Sequence, residues 1–195
     1  RVKEEVISQL RELGHTVYDC TCDNGTGQTD VLQKIVAKCN AHEVDLDISI
    51  HFNSGAGDPA GNDKTTGVEA YVYSASGAAK PYAEKICQAV SDLGFRTRGV
   101  KYSTSLYVLK HTKAPAVLVE CCFVDDKDDV ELYDYQKMAA AIVYGITGQS
   151  VQESQETAPA DPGEETPVGD PKELYRVQVG AYGVKGNADA MKARL

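Results

Sequence analysis

A single α/β domain, a mixed twisted sheet flanked by helices, is predicted for residues 1–148. Three observations predict it. Strand-like apolar runs alternate with helical-period stripes along that length. The run Ala116–Val124 is apolar almost throughout, as a strand covered on both faces must be. Past Gly148 both patterns vanish, and residues 149–170 hold six acids, no Lys or Arg and three of the seven prolines. Such a stretch buries too little surface to offset its ordering entropy, so 149–171 reads as a disordered acidic linker. Residues 172–195, "KELYRVQVGAYGVKGNADAMKARL", resume with a strand, a Gly-rich turn and a helix, a fragment of a small α+β repeat.

In chain order, Val6, Leu10 and Leu13 form one stripe of a helix over 4–13, stopped by Gly14. "HTVYDCT", 15–21, alternates and reads as a strand. A helix follows through Asn40 on the stripe Val31, Ile35, Val36, Cys39, with Thr29 or Asp30 as its cap. "LDISIHF", 46–52, is a strand that runs into a long Gly/Asp/Asn loop, the kind that surrounds a site. "VEAYVYS", 68–74, is a strand, and 79–93 a helix on Tyr82, Ala83, Ile86, Val90 and Leu93 closed by Gly94. "LYVLKHT", 106–112, and "AVLVECCFV", 116–124, read as two more strands, the second central. One or two helices close the domain before Gly148.

The formal net charge of −9 disfavours a nucleic-acid binder, which would show a basic face. No apolar run approaches the ~20 residues that span a membrane. The six cysteines, Cys20, Cys22, Cys39, Cys87, Cys121 and Cys122, make no CxxC pair, so zinc-ribbon and thioredoxin-type motifs are disfavoured. They read as mostly reduced core thiols. Cys20 and Cys22 face the same way in the expected strand, a spacing rare in structural zinc sites.

Three features fall at expected strand ends, where α/β sheets gather their sites. His51 ends the run Leu46, Ile48, Ile50 and is either a satisfied edge histidine or a metal ligand. Glu120 interrupts an apolar strand, where an unpartnered carboxylate costs several kcal/mol; it is either half of a buried ion pair or a carboxylate beside a cation or metal, tuned for acid–base work. "RGVK", 98–101, places two cations, Arg98 and Lys101, at such an end, where the plain reading is a solvated turn.

Taken together, "DLDISIHFN", "TTGVEAYVYS", "RGVKYSTSLYVLKHTKAPAVLVECCFVDDKDD" and "AIVYGITG" resemble, in order, the motifs of the zinc-dependent N-acetylmuramoyl-L-alanine amidases of the amidase-3 family. "YRVQVGAY" resembles the first strand of a SPOR domain, a small peptidoglycan-binding repeat, so 172–195 is expected to be part of one. The resemblance implies hydrolysis of the amide between N-acetylmuramic acid and L-alanine, with Zn2+ as cofactor and peptidoglycan as partner. It implies His51 as a zinc ligand, Glu120 as the catalytic base, and Asn53, Arg98 and Lys101 around the substrate. The family's other His and Glu ligands lie in an opening segment ahead of the helix in which this chain begins, so the chain reads as truncated at both ends. His15, His42 and His111 match nothing and are expected at the surface. The expected setting is extracellular or the bacterial cell wall, without a membrane span, and the expected state a monomer.

Two other readings compete. One is a non-catalytic peptidoglycan-binding module. The other is a thiol hydrolase using Cys121 or Cys122 with His51.

Overall fold

The computed structural model describes residues 1–151 and, as backbone, 174–179. The expected linker from residue 152 on and the remainder of the SPOR-like segment lie outside the described residues. The helices are α1 (Val2–Glu12), α2 (Gln28–Asn40), α3 (Lys80–Ser91), α4 (Tyr107–His111), α5 (Lys127–Leu132) and α6 (Tyr135–Thr147). The strands are β1 (Thr16–Asp19), β2 (Leu46–Asn53), β3 (Val68–Val72), β4 (Thr97–Tyr102), β5 (Ala116–Phe123) and β6 (Leu174–Val179).

These strands form one mixed sheet in the order β1-β6-β2-β5-β3-β4. Every neighbouring pair is parallel except β3 and β5, which run antiparallel. The pleat sends alternate residues to opposite faces, and each face has its own cover. Ile48, Ile50, Val117, Val119, Val68, Ala70 and Val72 pack with α1, α3 and α6 in the main core. The other face presents Ala116, Leu118 and Tyr71 to Ile35, Val36 and Cys39 of α2 and to Val108 and Leu109 of α4. Two-sided burial explains why β5 reads as a continuous apolar run.

Four expectations need correction. "LYVLKHT" is not a strand but holds the short helix α4. Val108 and Leu109 are adjacent and both buried; a strand would send them to opposite sides, whereas one helical turn lays both on the sheet. Asn40 locks the turn from the end of α2, donating to the His111 carbonyl at 2.9 Å and accepting from the Lys113 N–H at 2.9 Å. "RGVK" is not a turn but part of β4, an edge strand whose half-exposed pattern and Gly99 hide it from periodicity. The N-cap of α2 is Gly27, not Thr29 or Asp30; the Asp30 carboxylate instead accepts from the Thr26 N–H at 2.9 Å. His15 is buried, while His42 and His111 are exposed and stack on Tyr18 and Tyr107.

Among the described residues no helix is long and apolar enough to cross a membrane. The six cysteines are free thiols, all buried except half-buried Cys22, and β1 ends before Cys20.

Candidate active site

On β2 the residues between the core positions, Asp47, Ser49 and His51, belong to the face covered by α2 and α4. Register aligns His51 with Glu120 of β5, and Glu120 with Glu69 of β3. Side chains paired in register on adjacent strands project to one face, so these three form a row across the sheet. The row lies beyond Leu118, where the cover of α2 and α4 stops, and at the carboxyl ends of parallel β2 and β5.

Burial governs the chemistry of this row. It pushes the His51 imidazole down to about 4, so the ring stays neutral at physiological pH, the form that ligates metals. Burial, reinforced by the charge of Glu69, pushes the Glu120 carboxyl up to about 7. One Glu120 oxygen, Oε2, is buried and accepts no hydrogen bond among the described residues. An orphaned carboxylate oxygen in such a place is expensive as structure and useful as a proton acceptor.

Glu69 behaves oppositely. It is 2% exposed, yet its two oxygens are fully engaged. Oε2 accepts from Arg98 Nε at 2.7 Å and from Lys101 Nζ, while Oε1 accepts from Asn53 Nδ2 at 3.0 Å and the Tyr71 hydroxyl at 2.8 Å. Burial alone would raise its pKa; the bonds from Lys101, Arg98 and Tyr71 outweigh that and hold it below the ordinary value. Thus Asn53, Arg98 and Lys101 gather on one carboxylate beside Glu120.

The loop 54–67, which borders the row, is stapled by four aspartates that follow β5. Asp125 accepts the N–H groups of Gly55, Ala56 and Gly57 at 2.9, 3.2 and 2.9 Å. Asp126 caps α5 and also accepts the Thr66 N–H at 2.9 Å and hydroxyl at 2.6 Å. Asp128 accepts from the Asn62 N–H at 2.7 Å. Asp129, fully buried, takes the Gly67 N–H at 3.0 Å and the Phe123 N–H at 2.7 Å. Gly67 sits at φ 98°, and a Cβ there would land 1.8 Å from the Arg96 carbonyl oxygen, so glycine is required at this crossing.

Sequence reasoning missed Glu69 and these aspartates as parts of the site. Both left a signal: a glutamate inside the apolar run "VEAYV", and four acids in "DDKDD" directly after a buried strand.

A zinc ion fits this donor set only in part. His51 offers one neutral nitrogen, but among the described residues it belongs to no group of three ligand-type side chains close enough to share an ion. Their one group of three ligand-type side chains close enough to share an ion is Asp58, Asp126 and Asp128, within 4.8 Å of one another. Those carboxylates already accept the bonds that staple the loop. The thiol reading fails: Cys121 and Cys122 are buried, and burial first, then neighbouring charge, raises both thiols far above their ordinary range.

Comparison with known proteins matches residues 1–148 to the family described as N-acetylmuramoyl-L-alanine amidase. An uncharacterised Clostridium perfringens protein is 35% identical over 134 residues, covering 68% of this chain and 39% of that protein. The N-acetylmuramoyl-L-alanine amidase CwlM of Bacillus licheniformis is 29% identical over 169 residues, covering 86% of this chain and 59% of CwlM. This chain therefore spans less than two thirds of the length of either relative. Among solved structures, the catalytic domain of the CD27L endolysin targeting Clostridia difficile superposes with a TM-score of 0.66 at 26% identity, over 77% of this chain and 82% of that one. With three quarters of its length matched, the chain belongs to the N-acetylmuramoyl-L-alanine amidase (amidase-3) family.

Proposed function

We propose that the protein hydrolyses the amide between N-acetylmuramic acid and L-alanine in peptidoglycan, outside the cell or in the cell wall, as a zinc-dependent monomer. The observation that carries the reading is the row itself: a neutral imidazole next to a carboxyl poised near 7 with a free buried oxygen. His51 would be one of the residues holding a zinc ion, which when bound would supply Lewis-acid polarisation of the scissile carbonyl and a nucleophilic water at neutral pH. Glu120 accepts the proton of the attacking water on Oε2 and delivers it to the leaving L-alanine nitrogen. A pKa near the working pH suits a group that must both take and give a proton. Asn53, Arg98 and Lys101 form the substrate-binding flank.

The test is Glu120→Gln, assayed by release of muropeptide amines. Turnover is expected to fall about a hundredfold or more, with zinc content unchanged. Full activity in that variant would overturn the proposed base. The SPOR-like reading of 172–195 would add a wall-binding segment to the same substrate.

That no group of three ligand-type side chains forms around His51 among the described residues favours a second reading, a non-catalytic peptidoglycan-binding module. Zinc stoichiometry separates the two: an enzyme binds about one ion per chain in the manner of a three-ligand site, whereas a pure binder holds none tightly.

A further inference from the structure

Glu69 has more positive charge around it than one carboxylate can neutralise. Arg98 and Lys101 both converge on its Oε2, and neither makes a second ion pair among the described residues. With Glu120 protonated, or replaced by Gln, the cluster therefore keeps a surplus of one positive charge. Arg98 uses one of its five N–H donors on Glu69 and Lys101 one of its three. The two side chains are 33% and 37% exposed, so their remaining donors open toward solvent.

They are also held in place. The Arg98 guanidinium lies over the Phe123 ring, 5.1 Å from its centroid, and Lys101 Nζ lies over Tyr71 at 5.6 Å. Lys101 shares its register position with Tyr71, which places it on the site face of the sheet. Glu69 pairs in register with Glu120 on the neighbouring strand, so the cations that bond Glu69 stand within about 10 Å of Glu120. An extended peptide covers that span in about three residues.

We propose that Arg98 and Lys101, oriented by Glu69, form a clamp for a free carboxylate on the stem peptide within three residues of the scissile amide. This rests on the peptidoglycan amidase reading above and names the part of the substrate the cations recognise. A planar guanidinium pairs with both oxygens of a carboxylate. A carboxamide offers one acceptor and turns its NH2 against the cations, so the clamp selects the acid over the amide. Glu69 touches no substrate and is a positioning residue. Its charge is balanced by one cation, and the other is left for the ligand.

The experiment is calorimetric titration of the full chain, in a Glu120→Gln background that stops turnover. The probes are two soluble muropeptides that differ only in one stem carboxyl, free acid in one and carboxamide in the other. The acid is expected to bind at least tenfold more tightly, with a preference that weakens as salt rises. Arg98→Lys keeps a cation on Glu69 but loses the planar fork, and should reduce the ratio several-fold while the fold, followed by circular dichroism, persists. Glu69→Gln should also reduce the ratio and leave carboxamide affinity unchanged, a split that general loss of structure would not produce. Equal affinity for the two probes overturns the clamp and leaves the amidase reading standing. Failure to bind either probe overturns both.

Discussion

Glu120 is where the residue scale decides most, because one side chain carries both the proposed proton transfer and a pH-dependent share of stability. Its folded carboxyl titrates near 7 against an ordinary 4.5, so between those values the native state binds more protons than the unfolded chain. Stability of the metal-free protein must then fall as pH rises from about 4.5 to about 7, and level off above that. Glu120→Gln removes this term. It is expected to raise stability at pH 8 by on the order of 2 kcal/mol after allowance for partial exposure, while leaving stability at pH 4 nearly unchanged. Urea unfolding at the two pH values checks it; equal shifts at both would show that Glu120 is not desolvated in solution. Glu69 has the opposite character, since its charge is already matched. Glu69→Ala leaves the part-exposed Arg98 and Lys101 without their carboxylate and should cost about 1 kcal/mol, read from the urea midpoint at neutral pH. A midpoint within error of the parent chain would mean that the ion cluster is too well solvated to contribute.

Elements matter here chiefly through how they are pinned. The segment 54–67 has no regular structure of its own, yet its backbone N–H groups end on Asp125, Asp126, Asp128 and Asp129 around α5. Asp129→Ala strands two buried donors, those of Gly67 and Phe123, and is expected to cost about 3 kcal/mol. Hydrogen exchange should quicken at those two amides before it does in β2; protection unchanged there would refute the staple. Helix α6 is pinned by close approach instead. A Cβ on Gly145 would lie 2.6 Å from Ile86 Cα of α3, so Gly145→Ala should lower stability by about 1–3 kcal/mol in spite of its better helix propensity. A thermal melt checks the sign. The same elements explain what could be read from the chain. Where one periodicity governs, as in α1, α3, β2 and β5, the strip of buried residues follows the sequence pattern. Helix α4 reads as a strand in the sequence because Tyr107 and Val108 favour strands locally, and only the contacts with α2 and the sheet reverse that preference. Strand β4 was missed because an edge strand with one wet face and an internal Gly99 at φ 75° carries no alternation. At the site, His51 and Glu120 stood out as polar residues in apolar strands, but their alignment depends on register, which spacing along the chain does not encode.

The whole molecule turns on β6, which lies between β1 and β2 although it comes from the far end of the chain. It pairs in parallel with β1 over four residues, Thr16–Asp19 against Leu174–Val177, and with β2 over five, Leu46–Ile50 against Tyr175–Val179. Parallel pairing along its length makes β6 an interior strand, and interior strands are buried on both edges. If the segment instead opens an independent SPOR-like repeat, the sheet would not depend on it. A chain ended after Val151 separates these alternatives. With β6 as an interior strand, removing it exposes the facing edges of β1 and β2 and discards their ladder bonds, a loss on the order of 5 kcal/mol. Against a total stability of about 5–15 kcal/mol for a domain of this kind, such a loss brings the shortened chain to the margin of folding. The expected outcome is a sharply lowered urea midpoint, together with accelerated amide exchange that starts at β1 and β2 and spares β3 and β4. A shortened chain with an unchanged midpoint would place 174–179 outside the sheet in solution and return it to a separate wall-binding repeat. The position of β6 also bears on the active site, because its Val179 is level with Ile50, one residue before His51. Whatever strand fills that slot sets the wall on the β1 side of the imidazole, opposite the Glu120 side, so amide exchange in the shortened chain should quicken at Ile50 and His51 as well.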